Sequence, residues 1–237
     1  MTQGPIFLLL ASLCLACGVQ GFAPLATFRT RHVFDTAVSM SKDKGEQDQL
    51  KKHALSVGTL VEFAEKSRVH VGRVAVSESK SNGNARYDVV DLEGKHYSIA
   101  DKAVTYSVHA PTNDSAANKL LVGLAHAQLA SEHELRNELD LSADLLEMAW
   151  EETIEGDDTA LTPTSLVQLV HSHTADALES YMAWRLLRLD VGHVFFRELK
   201  ENGRVVAFKA KARKGVDAAK RAFCDNHEDE DEICFAI

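Results

Sequence analysis

The sequence predicts an α+β protein: a small β-barrel, then a helical domain that ends in a β-hairpin. Three observations predict it. Apolar residues alternate with a period of two in short runs from Gly58 to Val108, broken by turn residues. The period becomes helical from Asn113 to Arg188. It returns to two on either side of Asn202-Gly203. The chain has 237 residues, 45% of them hydrophobic and 26% charged. Such a composition suits one or two small soluble domains. It excludes a fibrous chain, a disulfide scaffold and a polytopic membrane protein.

Residues 1–21 contain no charged side chain, and Pro5 to Val19 is nearly all apolar but short for a bilayer span. Small residues follow, which makes 1–21 a secretory signal peptide. Cys14 and Cys17 lie inside it and are discounted as a redox or metal pair. After Phe22-Ala23-Pro24 come Thr27, Arg29, Thr30, Arg31, Thr36 and Ser39, with Asp35 as the single acid. A hydroxyl-rich, Arg-containing, acid-poor stretch has the composition of a transit peptide. Residues 22–55 are therefore read as transit peptide and linker. The tandem leader, expected to be disordered, resembles the bipartite leaders of proteins bound for complex plastids.

The first folded unit is expected over 56–110. Gly58 to Phe63 alternates like a strand, Val69 to Ser77 is β-branched, and Tyr87 to Leu92, Lys95 to Ile99 and Val104 to Val108 complete the set. Asn82-Gly83 and Glu93-Gly94 supply turns. Five short strands in so few residues suggest an SH3-like barrel. Its charges are mixed. Arg73, Arg86, His96 and Tyr97 are candidate RNA contacts, although Tyr97 reads more simply as core and His96 as its solvated neighbour.

The second unit is expected over 113–212. Asn113 opens a helix expected to reach Asn137, and a second runs from Asp140 or Ser142 to Glu155. Thr162-Pro163 marks a helix start, with the cap and then proline in the first turn. A short helix to His171, a turn, and a longer helix from Ala175 to Arg188 follow. Val194 to Leu199 pairs with Arg204 to Phe208 across Asn202-Gly203. Helix, short helix, turn, helix, hairpin is the order of a winged helix-turn-helix.

Charge is unevenly placed. The net charge is −9, but Asp225 and the acids of 228–232 supply −6 of it. From Phe195 to Arg221, nine bases face three acids, a phosphate-binding composition. Arg197, Lys200, Arg204, Lys209, Lys211, Arg213 and Lys214 are the candidate RNA contacts of the wing and the basic segment behind it. Glu132 to Asp158 is the reverse, with eleven acids against Arg136 alone. The stretch 213–237 is read as a basic segment and then an acidic tail. His171-x-His173 reads as a helix-end pair rather than a metal site. The adjacent acids of 228–232 lack the spacing of a cation site. There is no P-loop, dinucleotide glycine fingerprint or Gly-x-Ser-x-Gly.

Three segments carry a family resemblance: Leu145-Leu-Glu-Met-Ala-Trp-Glu-Glu-Thr-Ile154, Leu161-Thr-Pro163 and Ala177-Leu-Glu-Ser-Tyr-Met-Ala-Trp184. With the Gly58 to Phe63 start, they resemble the N-terminal region of organellar and cyanobacterial ribonuclease II-type exoribonucleases, over roughly 56–212. In that family an RNB domain follows, with clustered Asp residues holding Mg²⁺ for 3′-to-5′ hydrolysis. No spaced Asp cluster stands here, so no catalytic residue carries over. The resemblance implies a chain that is not itself an enzyme, holds no metal or cofactor, and serves as an RNA-binding accessory region in a plastid. Mg²⁺ would enter only with a catalytic domain supplied elsewhere. The expected partners are RNA and an RNB-containing polypeptide or missing C-terminal half, with no membrane attachment after processing. The alternative is a stand-alone winged-helix module that binds RNA or a protein.

Overall fold

The computed structural model describes residues 54–79, 84–155, 160–201 and 203–226. The leader, the Lys80–Gly83 turn, Gly156 to Asp158 and the acidic tail beyond 226 lie outside the described residues, as does Asn202 of the wing turn. All the described residues belong to one compact unit.

The first half is antiparallel throughout. Its strands are β1 Leu60–Glu65, β2 Arg68–Ser79, β3 Ala85–Val90, β4 His96–Ala100 and β5 Val104–Val108, in the order β4-β3-β2-β1-β5. A 3₁₀ turn at Asp101–Ala103 feeds β5. The sheet wraps a core of Val61, Phe63, Val74, Tyr87, Val89, Tyr97, Ile99 and Val104. Gly72 makes the wrap possible. A Cβ there would lie 2.6 Å from Val89 Cγ1 and 2.8 Å from the Val90 carbonyl oxygen. Register shifts at Val74/Val76 and at Glu62/Phe63 add local bends.

β1 is buried on both faces, which the alternation alone does not show. Val61 and Phe63 face the strand core, while Leu60 belongs with Val71 to the core of the second half. The two units read from the sequence therefore share a buried strand.

Seven helices and a hairpin make up the rest of the described chain. α1 is Asp114–Leu129, with Asn113 Oδ1 accepting from the Ser115 N–H at 2.8 Å. The single helix expected from Asn113 to Asn137 is two. The backbone turns extended at Ala130 and Ser131, and Ser131 with Glu134 forms a capping box that starts α2, Glu132–Glu138. A good cap inside an apolar-periodic stretch breaks the helix although the periodicity runs on. α3 is Ala143–Glu155 and α4 Pro163–His171, the latter opened by a Thr162/Ser165 box. α5 is Ala177–Leu186, capped by Asp176 at 2.8 Å to the N–H groups of Leu178 and Glu179.

Two further helices were not legible in the sequence. α6, Asp190–Phe195, occupies what reads as the start of the hairpin. α7, Arg213–Asn226, occupies what reads as a basic segment. Between them run β6, Phe196–Glu201, and β7, Arg204–Ala210. Leu161 adds a rung to β7, exchanging N–H···O bonds of 2.8 Å with Phe208 in both directions. One core joins α1 to α7, with Leu135, Leu146, Leu166, Leu186, Phe195, Phe196 and Phe208 fully covered. Burying a side chain of that size contributes about 1.5–3 kcal/mol.

Candidate nucleic-acid interface

Most of the bases that the sequence nominates are already engaged inside the molecule. Arg204 lies in the wing, yet its guanidinium donates to the Asp101 carbonyl oxygen at 2.7 Å and pairs with the Asp101 carboxylate. The same carboxylate accepts the Tyr87 hydroxyl at 2.8 Å. Arg204 thus fastens the wing to the strand unit. Lys200 pairs with Glu198 Oε2 at 2.6 Å, and Arg188 Nε holds Glu198 Oε1 at 2.9 Å. Burial raises the Glu198 pKa, but these two cations outweigh it and hold the carboxyl below its usual range. The Lys211 ammonium donates to the His193 carbonyl oxygen, and burial pushes its pKa down. Arg213 lies 5.6 Å over the Trp150 ring and within 3.6 Å of Glu151 and 3.8 Å of Glu155.

Arg197 and Lys214 are different. Both are exposed, with no hydrogen bond or ion pair among the described residues. Arg197 stands directly opposite Lys209 across β6 and β7.

The strand unit's candidates are similarly spent. Arg73 donates to Asp114 at 2.9 Å, Arg86 to Ser98 Oγ at 3.0 Å, and His96 Nδ1 lies 3.0 Å from Asp88. The Tyr97 ring sits in the core at 5% exposure, its hydroxyl donating to Asp91 at 3.0 Å and Lys95 lying over it. No face of Tyr97 is left for a base to stack on, whereas His96 is exposed.

The second half has a recognisable topology. α3, α4, α5 and the short α6 are followed by a hairpin, and Leu161 bridges to its second strand at Phe208. Residues 132–215 match the family model for the winged helix domain of ribonuclease II. The match runs from α2 into the first turn of α7, so the strand unit, α1 and most of α7 lie outside it. No curated protein and no solved structure matches the chain.

In this winged helix, α5 holds the place of the recognition helix. It is the least available surface of the domain. Ser180, Tyr181, Met182, Ala183, Trp184 and Leu186 are buried. The Tyr181 hydroxyl donates to Glu62 Oε2 at 2.6 Å, and Thr105 Oγ1 donates to Glu62 Oε1 at 2.6 Å. Tyr106 of β5 packs on Tyr181 and Trp184, with ring centroids 5.2 and 4.9 Å apart. The strand unit thus covers Tyr181 and Trp184 of α5. Glu62 is the residue that sequence reasoning missed. Its signal is a lone acid in the apolar run Leu60 to Phe63, at 3% exposure.

Arg136, the lone base of the acidic stretch, is buried at 9% exposure. His171 Nε2 lies 2.7 Å from the Leu139 carbonyl oxygen, and His173 pairs with Glu179 at 3.0 Å. Among the described residues no group of three His, Cys, Asp or Glu is placed to hold a metal ion. None of the described helices is long and apolar enough to cross a membrane.

Proposed function

We propose that this chain is a non-catalytic, RNA-binding accessory region of a ribonuclease II-like 3′-to-5′ exoribonuclease working in a plastid. The observation that carries the reading is the ribonuclease II winged helix match over 132–215, laid on helices and a wing of the right order. The five-stranded unit with its 3₁₀ turn acts as an SH3-like barrel, welded to the winged helix through Glu62 and Asp101. The welded body presents Arg197 and Lys214 to backbone phosphates and guides RNA toward an RNB domain that brings its own Mg²⁺. The leader composition supports plastid delivery.

A second reading, a protein-docking module, is favoured by one observation: Arg204, Lys211 and Arg213 all have intramolecular partners, and α5 is buried.

Titration of labelled single-stranded RNA separates the two. RNA binding should weaken as salt rises, by roughly 0.7 log units per log unit of salt for each phosphate neutralised on a single strand. Arg197→Glu with Lys214→Glu should lower affinity by about tenfold at low salt. Salt-insensitive or absent binding would leave the protein-docking module. Metal-dependent cleavage of RNA by the purified chain would overturn the non-catalytic assignment.

A further inference from the structure

Two charge features of the sequence, the acidic stretch of 132–158 and the basic segment after the wing, meet in the structure. Glu147, Glu151 and Glu155 recur every four residues and so form one stripe along α3. α7 turns Val216, Lys220 and Phe223 inward, and Arg213, three residues before Val216, lies at the rim of that face against α3. The stripes run antiparallel: Lys220 pairs with Glu147, and Arg213 lies against Glu151 and Glu155.

The two ends of this ladder differ in strength. The Lys220 side chain is only 10% exposed, Val216 and Phe223 on the same face are buried, and that end is an anchor. The Arg213 end is open: its side chain is 58% exposed, and Glu151 and Glu155 are 50% and 73% exposed, at 3.6 and 3.8 Å. Exposed pairs of that kind contribute little and yield to competing ions. Beyond Arg213, the exposed side of α7 carries Lys214 and Arg221, seven residues apart, with Asp217 as the one acid between them.

We propose that the outer face of α7 is a second phosphate-contact surface, made of Arg213, Lys214 and Arg221, and that the Glu151/Glu155 end of α3 restrains it as a built-in competing anion. The proposal rests on the RNA-binding reading above. RNA that reaches Lys214 and Arg221 draws Arg213 off the two carboxylates, while Lys220 keeps α7 docked. The acidic helix sets how tightly the chain holds RNA, so that only a strand able to outcompete it is retained.

The test uses the full chain and a labelled oligouridylate, with far-UV circular dichroism confirming that each variant is folded. E151Q/E155Q should bind about threefold tighter, the size expected when weak exposed pairs are removed. D140N/E152Q makes the same charge change at exposed positions outside the stripe, and it should gain much less. Adding R213A to E151Q/E155Q should abolish the gain. An equal gain in both carboxylate pairs would reduce the effect to net charge and overturn the proposal, and so would no gain in E151Q/E155Q. If wild type binds and Arg197→Glu weakens it while E151Q/E155Q changes nothing, the restraint fails and the RNA reading survives. If no variant binds the oligomer, both fall.

Discussion

Glu62 stands in a strand whose neighbours Leu60, Val61 and Phe63 are all apolar, and it is buried with them. A carboxylate survives there because Tyr181 and Thr105 each donate to one of its oxygens. Such charge-assisted bonds are worth about 1.5–3 kcal/mol each, against a desolvation cost of similar size. The pair therefore orients the barrel on α5 more than it stabilises it. The surrounding tyrosines give a pH test. Burial pushes the Tyr106 hydroxyl up to about 12, and burial followed by the Glu62 charge pushes Tyr181 higher still. Both hydroxyls are neutral in folded and unfolded chains below pH ~10, the unfolded value, so they do not alter stability there. Above it the unfolded chain releases protons that the folded chain keeps, and stability falls with rising pH. Urea unfolding between pH 9 and 11.5 should show that fall, and Tyr106→Phe should flatten it. An unchanged slope in the variant would place the loss elsewhere. Asp101 plays the parallel role for the wing. Nothing in the spacing around Arg204 marks it as a partner 103 residues away.

At the level of elements, caps set off by a break in the apolar period were readable, while the Ser131/Glu134 box inside a continuous period was not. Thr162-Pro163 and the Asn202-Gly203 turn announce α4 and the wing because the backbone chemistry is local. α6 is short, its N-cap Leu189 makes no side-chain bond, and the Val191 N–H at its start donates instead to Glu132 of α2 at 3.2 Å, a partner distant in sequence. Gly192 is the reason it fits. A Cβ there would lie 2.5 Å from Leu187 Cα and 2.6 Å from the Leu186 carbonyl oxygen, which are backbone atoms with no room to move. Gly192→Ala should cost about 1–3 kcal/mol, the range for overpacking a tight contact. A denaturation midpoint equal to wild type would show that the α5–α6 junction is looser than its geometry. α7 was missed for a related reason. Its first turn carries Arg213 and Lys214 and no acid, which opposes the helix dipole, and α3 supplies the compensation.

For the whole molecule, the boundary near residue 111 divides the sequence but not the core. Leu60 and Val71 of the barrel pack with the helices, and Glu62 and Asp101 reach across to Tyr181 and Arg204. The two halves should therefore unfold together. The only tryptophans, Trp150 and Trp184, report on the helical half, and amide exchange in β3 and β4 reports on the barrel. Their urea midpoints should coincide. Two separated midpoints would mean that the shared strand does not couple them.

The sequence alone determined the α+β class, the five strands, the capped helices α4 and α5, and the hairpin. Each of these follows from periodicity or turn chemistry within a few residues. It also pointed to the ribonuclease II winged helix that the family match bears out over 132–215. Only the tertiary structure decided which charges remain available. Arg204 and Arg213 read as nucleic-acid contacts along the chain, and folding spends them on Asp101 and on Glu151 with Glu155. The physical reason is that a charge's availability depends on which partners lie within a few ångströms in space. Asp101 and Arg204 are neighbours only because β7 packs against the barrel, and no local pattern encodes that contact.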